Sequence, residues 1–484
     1  MREIERVGKN KRILMKVKQS ISIVWLKRDL RLRDHAALSA AVSAGFPVLI
    51  CYVFEPSMAA LADWDVRHWR FAMQSLEDMQ RLLSQRQLKL YWFHNEVITV
   101  FEALTSEFDI KGVYAHQETG NWASFQRDLA VISFFKKEKI SFTEFQQGGV
   151  IRALKTLKDW DKKFEAFMEA PLAQIERGKL QTPILDDLFY KKLQINDLHN
   201  DTFYKNEKIQ VGGESLAHVL LEKFISNEGK GYMKNISKPD SSRRHCSRLS
   251  PHIAFGNLSI RQVYQATNEA LTKAKWTRDL ENFRSRLFWQ SHFIQKLEIR
   301  PTYQFESVSP AFAKVYDGSE NESFLQAWEE ARTGFPLVDA AMKAVAATGW
   351  LNFRMRAMCV SFLTHHLAQP WQNGTPHLAK MFLDYEPGIH YAQFQMQAGV
   401  TGTNIIRTYN PVKQSQDHDP DGIFIKEWLP ALRNIPPTLL HEPWKLNAME
   451  QVFYNCQLGV DYPLPIVPPN QNKVIVDKLW ALRK

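Results

Sequence analysis

Charged side chains follow the first strand-like run of this 484-residue sequence. The segment Val24–Leu38 opens with apolar residues and continues with lysine, arginine, aspartate and histidine. In a parallel sheet, residues just past the carboxyl end of a strand lie where such sheets bind ligands. The segment therefore predicts a ligand-binding loop, and a solvated loop is the alternative that its residues alone leave open.

A hydroxyl-containing segment, Cys246–Ser250, precedes a helix predicted at Pro251. Hydroxyls and backbone N–H groups at the start of a helix are good hydrogen-bond donors to a phosphate group. The alternative is that Ser247 or Ser250 only caps the helix. The segment is thus either a candidate phosphate site or a plain helix start.

Aromatic residues are unusually common, with 14 tryptophans in the chain. Residues Phe283–Leu297 predict a helix with Arg286, Trp289 and Phe293 on one stripe, because positions three and four apart share a face. A tryptophan usually belongs to the core, since a buried indole removes a large apolar surface from water. In a basic chain, tryptophans near arginines also suit stacking on a planar ligand or a base.

The four cysteines, Cys51, Cys246, Cys359 and Cys456, stand far apart and include no C-x-x-C pair. A zinc or iron–sulfur site usually has a closely spaced pair, so no metal site is predicted. The cysteines are also too sparse for a disulfide scaffold. We expect buried thiols and a reducing, cytoplasmic compartment.

Alternating strands and helices over residues 20–150 must position the charged segment Val24–Leu38. Helical periodicity, as over Val66–Gln85, separates short apolar or β-branched runs and predicts a doubly wound parallel sheet. The predicted strands are Ile21–Leu26, Pro47–Phe54, Leu88–Phe93, Ile110–Ala115 and Ile140–Phe145. No G-x-G-x-x-G pattern follows the first strand, so the ordinary dinucleotide site of this fold is not predicted.

The rest of the chain divides into three predicted parts. Residues 1–19 form a basic N-terminal arm, unless translation begins at Met15. Residues 151–213 are polar and connect the α/β domain to an all-helical domain over residues 214–484. The prediction of helices rests on repeated proline breaks and the absence of strand-like alternation in this last part.

Composition narrows the class of protein further. Apolar residues make up 45% and charged residues 24%, which is typical of a soluble globular chain. No apolar run reaches the ~18 residues that a membrane span needs. The net charge of +10 suits an anionic partner without requiring one.

Several motifs, in one order along about residues 20–470, resemble the photolyase/cryptochrome flavoprotein family. They are Val24–Leu38, Arg332–Met342, Thr348–Arg356, Thr401–Thr403, Tyr409–Pro411, Asp419 and His441–Trp444. The match is to a divergent bacterial-type, class 1-like DNA photolyase. It implies an α/β antenna domain, a linker and a helical domain that encloses FAD, with a possible second antenna chromophore of the folate or deazaflavin type.

The resemblance implies cofactor contacts residue by residue. Arg356 and Asp384 match the pair along the isoalloxazine ring, where a guanidinium stabilises the reduced, anionic ring; from the residues alone, a structural salt bridge is the alternative. His390 matches the position facing flavin N5, and we expect its charge to change between about pH 5 and 8. The other implied contacts are Tyr232, Gln290, Glu386 and the pyrophosphate loop Cys246, Ser247, Arg248, Leu249 and Ser250.

The resemblance also implies a DNA-binding face. Trp289 matches a family tryptophan that packs against a flipped thymine dimer. Arg286 stands where dimer-repairing members carry a glutamate, Phe353 replaces a polar residue, and Met396 replaces a second stacking tryptophan. The remaining positions implied on this face are Phe293, Arg354, Arg407 and Lys413.

Electron supply to the flavin differs from the family pattern. The family uses three tryptophans, of which Trp371 matches the middle one, unless it is simply an indole buried behind Pro370. Phe394 stands at the flavin-proximal position, where phenylalanine is too hard to oxidise. Tyr391 is the candidate replacement donor, with Tyr316 a candidate at the outer end.

Two functional hypotheses follow from the resemblance. The first is a deoxyribodipyrimidine photolyase, a monomer that repairs cyclobutane dimers in UV-damaged duplex or single-stranded DNA by light-induced electron transfer. The second is a cryptochrome-type blue-light receptor that uses the same FAD with a signalling partner, and the altered dimer-binding positions favour it. Neither hypothesis calls for a metal or a membrane.

Overall fold

The computed structural model describes residues 18–176, 178–195, 208–402 and 406–482. Of the predicted N-terminal arm, only Lys18 and Gln19 lie within these ranges. Thr403 of the motif Thr401–Thr403 lies outside them.

Five parallel strands form one sheet in the order β3-β2-β1-β4-β5. They are β1 Ser20–Leu26, β2 Val48–Phe54, β3 Leu90–His94, β4 Asp109–His116 and β5 Phe142–Phe145. The two central apolar strands, β1 and β2, are almost wholly buried, as expected where helices cover both faces of a parallel sheet. The predicted α/β class is confirmed, and the strand boundaries agree to within two residues.

Helices alternate with these strands. They are α1 Ala36–Ser43, α2 Pro56–Ala59, α3 Val66–Ser84, α4 Val97–Glu107 and α5 Trp122–Lys137. The start of α3 is fixed by a capping box, in which Asp65 accepts from backbone N–H groups and the His68 ring accepts from the Asp65 N–H. The loop between α2 and α3 places Asp63 at the carboxyl edge of the sheet, where it meets the second part of the protein.

From residue 214 onward the described chain is mostly helical, as predicted, and two further helices lie in the predicted connecting segment. Its α-helices are α6 Trp160–Glu169, α7 Asp187–Lys192, α8 Glu214–Lys223, α9 Tyr232–Asn235, α10 Ser242–His245, α11 Ser250–Ala254, α12 Ile260–Lys273, α13 Thr277–Ile299, α14 Glu322–Glu329, α15 Pro336–Thr348, α16 Phe353–Ser361, α17 Trp371–Met381, α18 Pro387–Ala398, α19 Pro411–His418, α20 Ile423–Trp428, α21 Pro437–Leu440, α22 Ala448–Phe453 and α23 Lys473–Leu482. Short π-helical turns occur at Phe224–Glu228 and Phe362–His366, and 3-10 turns at Pro301–Gln304, Pro310–Phe312, Pro430–Leu432 and Pro443–Lys445.

The predicted connecting segment, residues 151–213, packs on both parts of the protein. Trp160, Phe164 and Met168 of α6 lie in one apolar cluster with Tyr232 and Phe283 of the helical part. Farther along, the carbonyl of Gln181 accepts a hydrogen bond from the N–H of Val48 at the start of β2. Residues 196–207 of this segment lie outside the described ranges.

A close backbone contact joins the loop after β1 to the helical part. The backbone of Gly256 has φ +72°, and a Cβ there would lie 2.1 Å from the carbonyl oxygen of Arg28. Asn257 donates to the Leu30 carbonyl at 2.9 Å, and Leu30 N–H donates to the Phe255 carbonyl at 3.1 Å. Only glycine satisfies both the left-handed φ and the close approach. This clamp fixes the charged loop against the helical part.

The four cysteines are free in the structure. Three of them are buried, as expected, and Cys246 is half-buried. No helix in the described parts of the chain combines the length and apolar character needed to cross a membrane.

Candidate functional site

Arg356 and Asp384 form the predicted ion pair. Nη2 of Arg356 donates to both carboxylate oxygens, at 3.0 and 2.7 Å. Asn352 caps the start of α16 and so fixes the turn that carries Arg356, whose Nε donates to the Leu351 carbonyl at 2.9 Å. The guanidinium also lies 4.0 Å from the ring centre of Phe382. Three independent contacts therefore hold this cation in one orientation.

Helix α18 carries the predicted N5 neighbour, His390. The helix begins with Pro387 and ends at Gly399, whose φ is +77°, a sequence pattern suited to a sharply bounded helix. A Cβ on Gly388 would lie 2.5 Å from Cα of Ile294, so glycine lets α18 pack closely on α13. Helix α18 also packs on α16 and α17, and it thereby brings His390 into the region of the ion pair.

His390 is a buried, neutral imidazole. Its Nε2 lies 3.0 Å from the Thr375 carbonyl oxygen, which can only accept, so Nε2 carries the proton. Burial lowers the pKa of His390 to about 4. The expectation that its charge changes between pH 5 and 8 is therefore wrong, because desolvation keeps the ring neutral throughout that range.

Glu386 lies at the boundary between the two parts of the protein. Its Oε2 accepts from Nη1 of Arg28 at 3.1 Å, while Oε1 is buried and has no hydrogen-bond partner among the described residues. Burial raises the pKa of Glu386 to about 7, with Arg28 opposing the increase and the Glu118 carboxylate adding to it. Arg28, Gln290 and Glu386 line one cavity at this boundary. The predicted ligand-binding loop after β1 thus reaches a cavity through Arg28.

The predicted pyrophosphate loop is held in an uncommon conformation. Arg248 has φ +57°, a left-handed conformation that costs a non-glycine residue about 1–2 kcal/mol. Its guanidinium lies 4.0 Å from the ring centre of Trp350 and donates to Gln210 at 2.9 Å. Burial, together with the nearby Arg243 cation, lowers the pKa of Arg248 to about 10.

The alternative that Ser247 or Ser250 caps the next helix is wrong. Leu249 occupies the capping position of α11 and makes no side-chain cap. The hydroxyl of Ser247 only accepts a long bond, 3.4 Å, from the Leu249 N–H, and Ser250 is already inside the helix and exposed. The left-handed turn at Arg248 draws the hydroxyls out of capping position, which leaves them open to another partner.

Buried hydrogen-bond donors lie just before this loop. The Ser241 hydroxyl and two guanidinium nitrogens of Arg243 are buried and have no acceptor within the described residues. Arg243 lies 5.1 Å from the ring centre of Trp428, whose N–H also has no acceptor there. Donors buried without acceptors are costly, so this group fits an anion such as a pyrophosphate.

The other predicted cofactor residues border the same region. Tyr232 is buried, and the Arg286 cation lies near its phenol, a proximity that the sequence did not suggest. Burial raises the pKa of this phenol well above 10. Leu249 is a core residue, and Cys246 has a pKa raised to about 12 by burial, which keeps it a neutral thiol.

The predicted substrate face of α13 is open to solvent. Trp289 is 45% exposed and lies 6.0 Å from Phe293 between ring centres, as their spacing predicts. Arg286 is exposed on the same helix. Since α13 packs on α18, this aromatic pair lies on the element that also positions His390.

Helix α16 supplies a second exposed ring. Phe353 is 45% exposed at its first position. Arg354 lies 5.1 Å from the Phe353 ring centre and donates to the Tyr409 hydroxyl at 3.2 Å. Met396 is half-buried on α18. Arg407 and Lys413 are exposed cations, and Lys413 lies 3.7 Å from Asp417.

The residues predicted for electron transfer are all buried. Trp371 begins α17, and its N–H has no acceptor in the described chain. Phe394 lies 4.8 Å from His390 between ring centres. The Tyr391 hydroxyl lies 3.1 Å from the Tyr385 hydroxyl, and Tyr316 donates to the Ala398 carbonyl at 2.7 Å.

One buried cluster has metal-ligand residue types. The potential ligand atoms of Asp29, His35 and His116 all lie within 4.8 Å of one another. Nδ1 of His35 accepts from the Leu38 N–H, so its proton lies on Nε2, 3.2 Å from Asp29. That nitrogen has no free lone pair for a metal. The cluster is best described as a hydrogen-bonded network that holds the loop after β1.

Two residues of this region were not identified from the sequence. Asp63 and Tyr385 are hydrogen-bonded across 322 positions of the chain, and nothing in their local sequence pattern signals it. Arg28 belonged to the predicted ligand-binding loop, but its partner Glu386 lies 358 positions away. Only the fold brings these groups together.

Comparisons with known proteins agree with this arrangement. The family model described as DNA photolyase matches residues 22–177, and the model described as FAD binding domain of DNA photolyase matches residues 283–480. A deoxyribodipyrimidine photo-lyase of Alkalihalophilus pseudofirmus is 29% identical over 94% of this chain and 96% of its own. A cryptochrome DASH of Gloeobacter violaceus is 28% identical over 95% of this chain and 96% of its own.

Solved structures share the fold. A Synechocystis sp. cryptochrome superposes with a TM-score of 0.83 at 23% identity, covering 97% of this chain and 99% of that one. A bacterial class III photolyase from Agrobacterium tumefaciens gives 0.81 at 24% identity, covering 98% and 99%. Because the two family models together span most of the protein and the fold agrees throughout, the chain belongs to the photolyase/cryptochrome family.

Proposed function

We propose that this protein binds FAD and uses blue light to repair cyclobutane pyrimidine dimers in DNA. The observation that carries the proposal is the exposed aromatic pair Trp289 and Phe293 on α13, directly against the helix that carries His390. An exposed indole beside a buried polar site suits stacking on a base extruded from DNA. A purely structural tryptophan would be expected in the core instead.

The chain offers groups suited to each end of FAD. The unpaired donors of Ser241 and Arg243, with the loop 246–250, would hold the pyrophosphate. Arg356, oriented by Asp384, would lie along the isoalloxazine ring and stabilise negative charge on it. Reduced FAD, when bound and excited, supplies the electron that splits the dimer. Tyr232 and Gln290 border the same region.

His390 and Glu386 define the protonation state of the site. The proton of His390 stays on Nε2, which donates to the Thr375 carbonyl, so the site holds a neutral imidazole. Glu386, with a pKa near 7, can hold or release a proton close to physiological pH. Their burial also excludes water, which strengthens the electrostatic effect of Arg356.

DNA would bind over the open face. Arg407 and Lys413 are exposed and can approach backbone phosphates, while Arg354 is held between the Phe353 ring and Tyr409. The net charge of +10 favours association with a polyanion. Phosphate contacts of this kind predict an affinity that falls as salt rises.

A second chromophore of the folate or deazaflavin type would bind in the α/β part. A cavity at the carboxyl ends of β1 and β2 is lined by Trp25, Tyr52, Trp64 and Trp69. Aromatic side chains at this edge of a parallel sheet suit a planar ligand.

A cryptochrome-type photoreceptor is the second candidate. An exposed arginine, Arg286, occupies this position, so α13 presents no carboxylate to a dimer there, and Phe353 and Met396 add apolar surface. Cryptochromes also occur among the similar proteins, including cryptochrome-2 of Gallus gallus at 26% identity over 92% of this chain and 80% of its own.

One experiment separates the two candidates. Purified protein with bound flavin is mixed with an oligonucleotide that contains one cyclobutane dimer, then illuminated with blue light under a reducing thiol. We expect light-dependent loss of the dimer and tighter binding to damaged than to intact DNA. Bound flavin with neither repair nor preference for damage would favour the photoreceptor.

A further inference from the structure

A buried tyrosine is hydrogen-bonded to a carboxylate across the boundary between the two parts of the protein. Tyr385 stands between Asp384 and Glu386, two of the candidate flavin-site residues, and only 4% of it is exposed. Its hydroxyl donates to Oδ2 of Asp63 at 2.6 Å. Asp63 belongs to the α/β part and is itself buried.

The donor and the acceptor of each hydrogen bond around Tyr385 can be assigned. A carboxylate only accepts, so the Tyr385 O–H must point to Asp63. The Tyr385 oxygen is then the acceptor for the Tyr391 O–H, 3.1 Å away. Asn121 donates to the same Asp63 oxygen at 2.9 Å. Protons can therefore leave Tyr385 in one direction only, toward Asp63.

The surroundings isolate this pair from water. Burial, reinforced by the negative charge of Asp63, raises the pKa of Tyr385 well above 10, so the phenol keeps its proton in the resting state. The second carboxylate oxygen of Asp63 is buried and makes no hydrogen bond with any described residue. A phenol that loses an electron becomes a strong acid and gives its proton to an acceptor already in contact with it.

We propose that Tyr385 donates an electron to the photoexcited, oxidised flavin and that Asp63 accepts its proton. The inference rests on the proposed binding of FAD. One electron passes from the phenol to the flavin, and the O–H proton moves along the 2.6 Å hydrogen bond to Oδ2 of Asp63. A neutral tyrosyl radical and a protonated Asp63 remain. An electron from an external thiol, passed on by way of Trp371, then reduces the radical, and Asp63 returns the proton.

This assignment provides an electron donor in place of the flavin-proximal tryptophan of the family. Phe394, at the flavin-proximal family position, cannot be oxidised in place of a tryptophan. Tyr391 was the candidate replacement from the sequence, but its hydroxyl contacts Tyr385 rather than a carboxylate. Of these two tyrosines, Tyr385 is the one whose hydroxyl donates to a carboxylate, and Tyr391 is a positioning residue that donates to its oxygen.

Electron paramagnetic resonance on the illuminated, freeze-trapped wild-type protein tests the proposal without any substitution. We expect the signal of a neutral tyrosyl radical, and this signal should narrow when the protein is labelled with ring-deuterated tyrosine. Photoreduction should be slower in D₂O, because a proton moves with the electron. A tryptophan radical alone, with no solvent isotope effect, would overturn the proposal.

Variants then identify the residues. Tyr385→Phe should abolish the tyrosyl signal, and Asp63→Asn should slow photoreduction about tenfold or more and remove the isotope effect, since the amide cannot take the proton. Tyr190→Phe, which removes a half-buried phenol of α7 that donates to the Trp92 carbonyl, is the control and should behave as wild type. An unchanged radical in Tyr385→Phe that still binds flavin would overturn the proposal.

Different outcomes contradict the proposed function and the proposed role of Tyr385. Protein that purifies without FAD, and does not bind it when it is added, contradicts the proposed function. Protein that holds FAD and photoreduces it at wild-type rate in both Tyr385→Phe and Asp63→Asn contradicts only the role of Tyr385. If Tyr385→Phe fails to fold, the radical and the isotope effect in the wild type and in Asp63→Asn still decide the question.

Discussion

Nη1 of Arg28 lies 3.1 Å from Oε2 of Glu386, so a residue just past the first strand neutralises part of a buried carboxyl beside the candidate flavin site. The same nitrogen donates to the Tyr385 carbonyl at 3.2 Å. The Gly256 contact holds the loop of Arg28 against the helical part. The α/β part therefore contributes directly to the electrostatics of the site in the helical part.

Glu386 should make stability depend on pH. Its pKa is about 7 in the folded protein and 4.5 in a free side chain, so between these values the folded state holds a proton that the unfolded state has lost. The free energy of unfolding should fall by about 3 kcal/mol as pH rises from 4.5 to 7. Glu386→Gln removes this contribution.

Urea unfolding of both proteins at several pH values measures the effect. The variant should gain stability relative to wild type as pH rises toward 7, and the difference should level off above it. A difference that is constant from pH 4.5 to 8 would show that the Glu386 carboxyl titrates normally.

His390 should make stability depend on pH in the opposite direction from Glu386. Its pKa is about 4 when folded and 6.5 when free, so the unfolded state binds the proton first as the solution is acidified. The stability that neutral His390 contributes is complete above pH 6.5 and is lost, by up to about 3 kcal/mol, as pH falls to 4. His390→Asn should therefore lose less stability than wild type over this range.

Denaturant titrations in parallel at pH 4.5, 5.5 and 7 provide the measurement. Histidines such as His68 and His252, whose pKa values burial also lowers to about 4, remain in both proteins, so only the difference between the two is interpreted. Equal acid sensitivity of wild type and variant would count against a buried, neutral His390.

Asp384→Ala should weaken flavin retention. The change leaves the Arg356 guanidinium without the carboxylate that it contacts at 2.7 and 3.0 Å. We expect a combined loss of about 2–4 kcal/mol in stability and flavin binding. Flavin absorbance per protein and the melting temperature are the readouts.

The matched control for this change is Asp417→Ala. It removes an exposed ion pair with Lys413, which is worth at most about 1 kcal/mol. Stoichiometric flavin and a normal melting temperature in Asp384→Ala would contradict the assignment of the pair to the cofactor.

Trp289→Ala should reduce discrimination between damaged and intact DNA. Base–aromatic stacking is worth about 1–3 kcal/mol, so the difference in binding free energy between damaged and intact DNA should shrink by that amount. Trp122→Ala, on α5 and 39% exposed, is the control for loss of a surface indole. Competition binding at fixed salt gives the ratio. If Trp289→Ala keeps the wild-type ratio, Trp289 has only a packing role.

The sequence predicts the sheet well because its strands are short runs rich in apolar or β-branched residues between helices, a local signal. It also predicts that Trp289 and Phe293 share one face of α13, because residues four positions apart on a helix are neighbours. The helix cap at Ser247 or Ser250 failed because the left-handed Arg248 reshapes the loop, and a single residue type does not reveal its φ angle.

Contacts between distant segments are beyond such local signals. The partners Arg28 and Glu386, and Asp63 and Tyr385, are charged or polar residues whose periodicity carries no information on each other. Arg356 and Asp384 were paired through the family resemblance rather than through their spacing. The pKa of His390 depends on burial by helices α16, α17 and α18, which the sequence could not specify.

Trp371→Phe should separate electron transfer from stability. The Trp371 N–H is buried without an acceptor among the described residues, and such an orphaned donor costs about 1–3 kcal/mol. Phenylalanine removes that cost but leaves a small cavity, so the two effects should nearly cancel and the melting temperature should change little. Phenylalanine is much harder to oxidise than tryptophan, and photoreduction under blue light with an external thiol should slow about tenfold or more, the change given by 1.4 kcal/mol of added barrier.

Trp160→Phe is the control, because that indole is equally buried but donates to the Gly149 carbonyl at 3.2 Å in the cluster around α6. It should lose stability and keep its photoreduction rate. The reverse pattern, with Trp371→Phe destabilised and photoreduced normally, would make Trp371 a core residue and leave electron supply to the tyrosines.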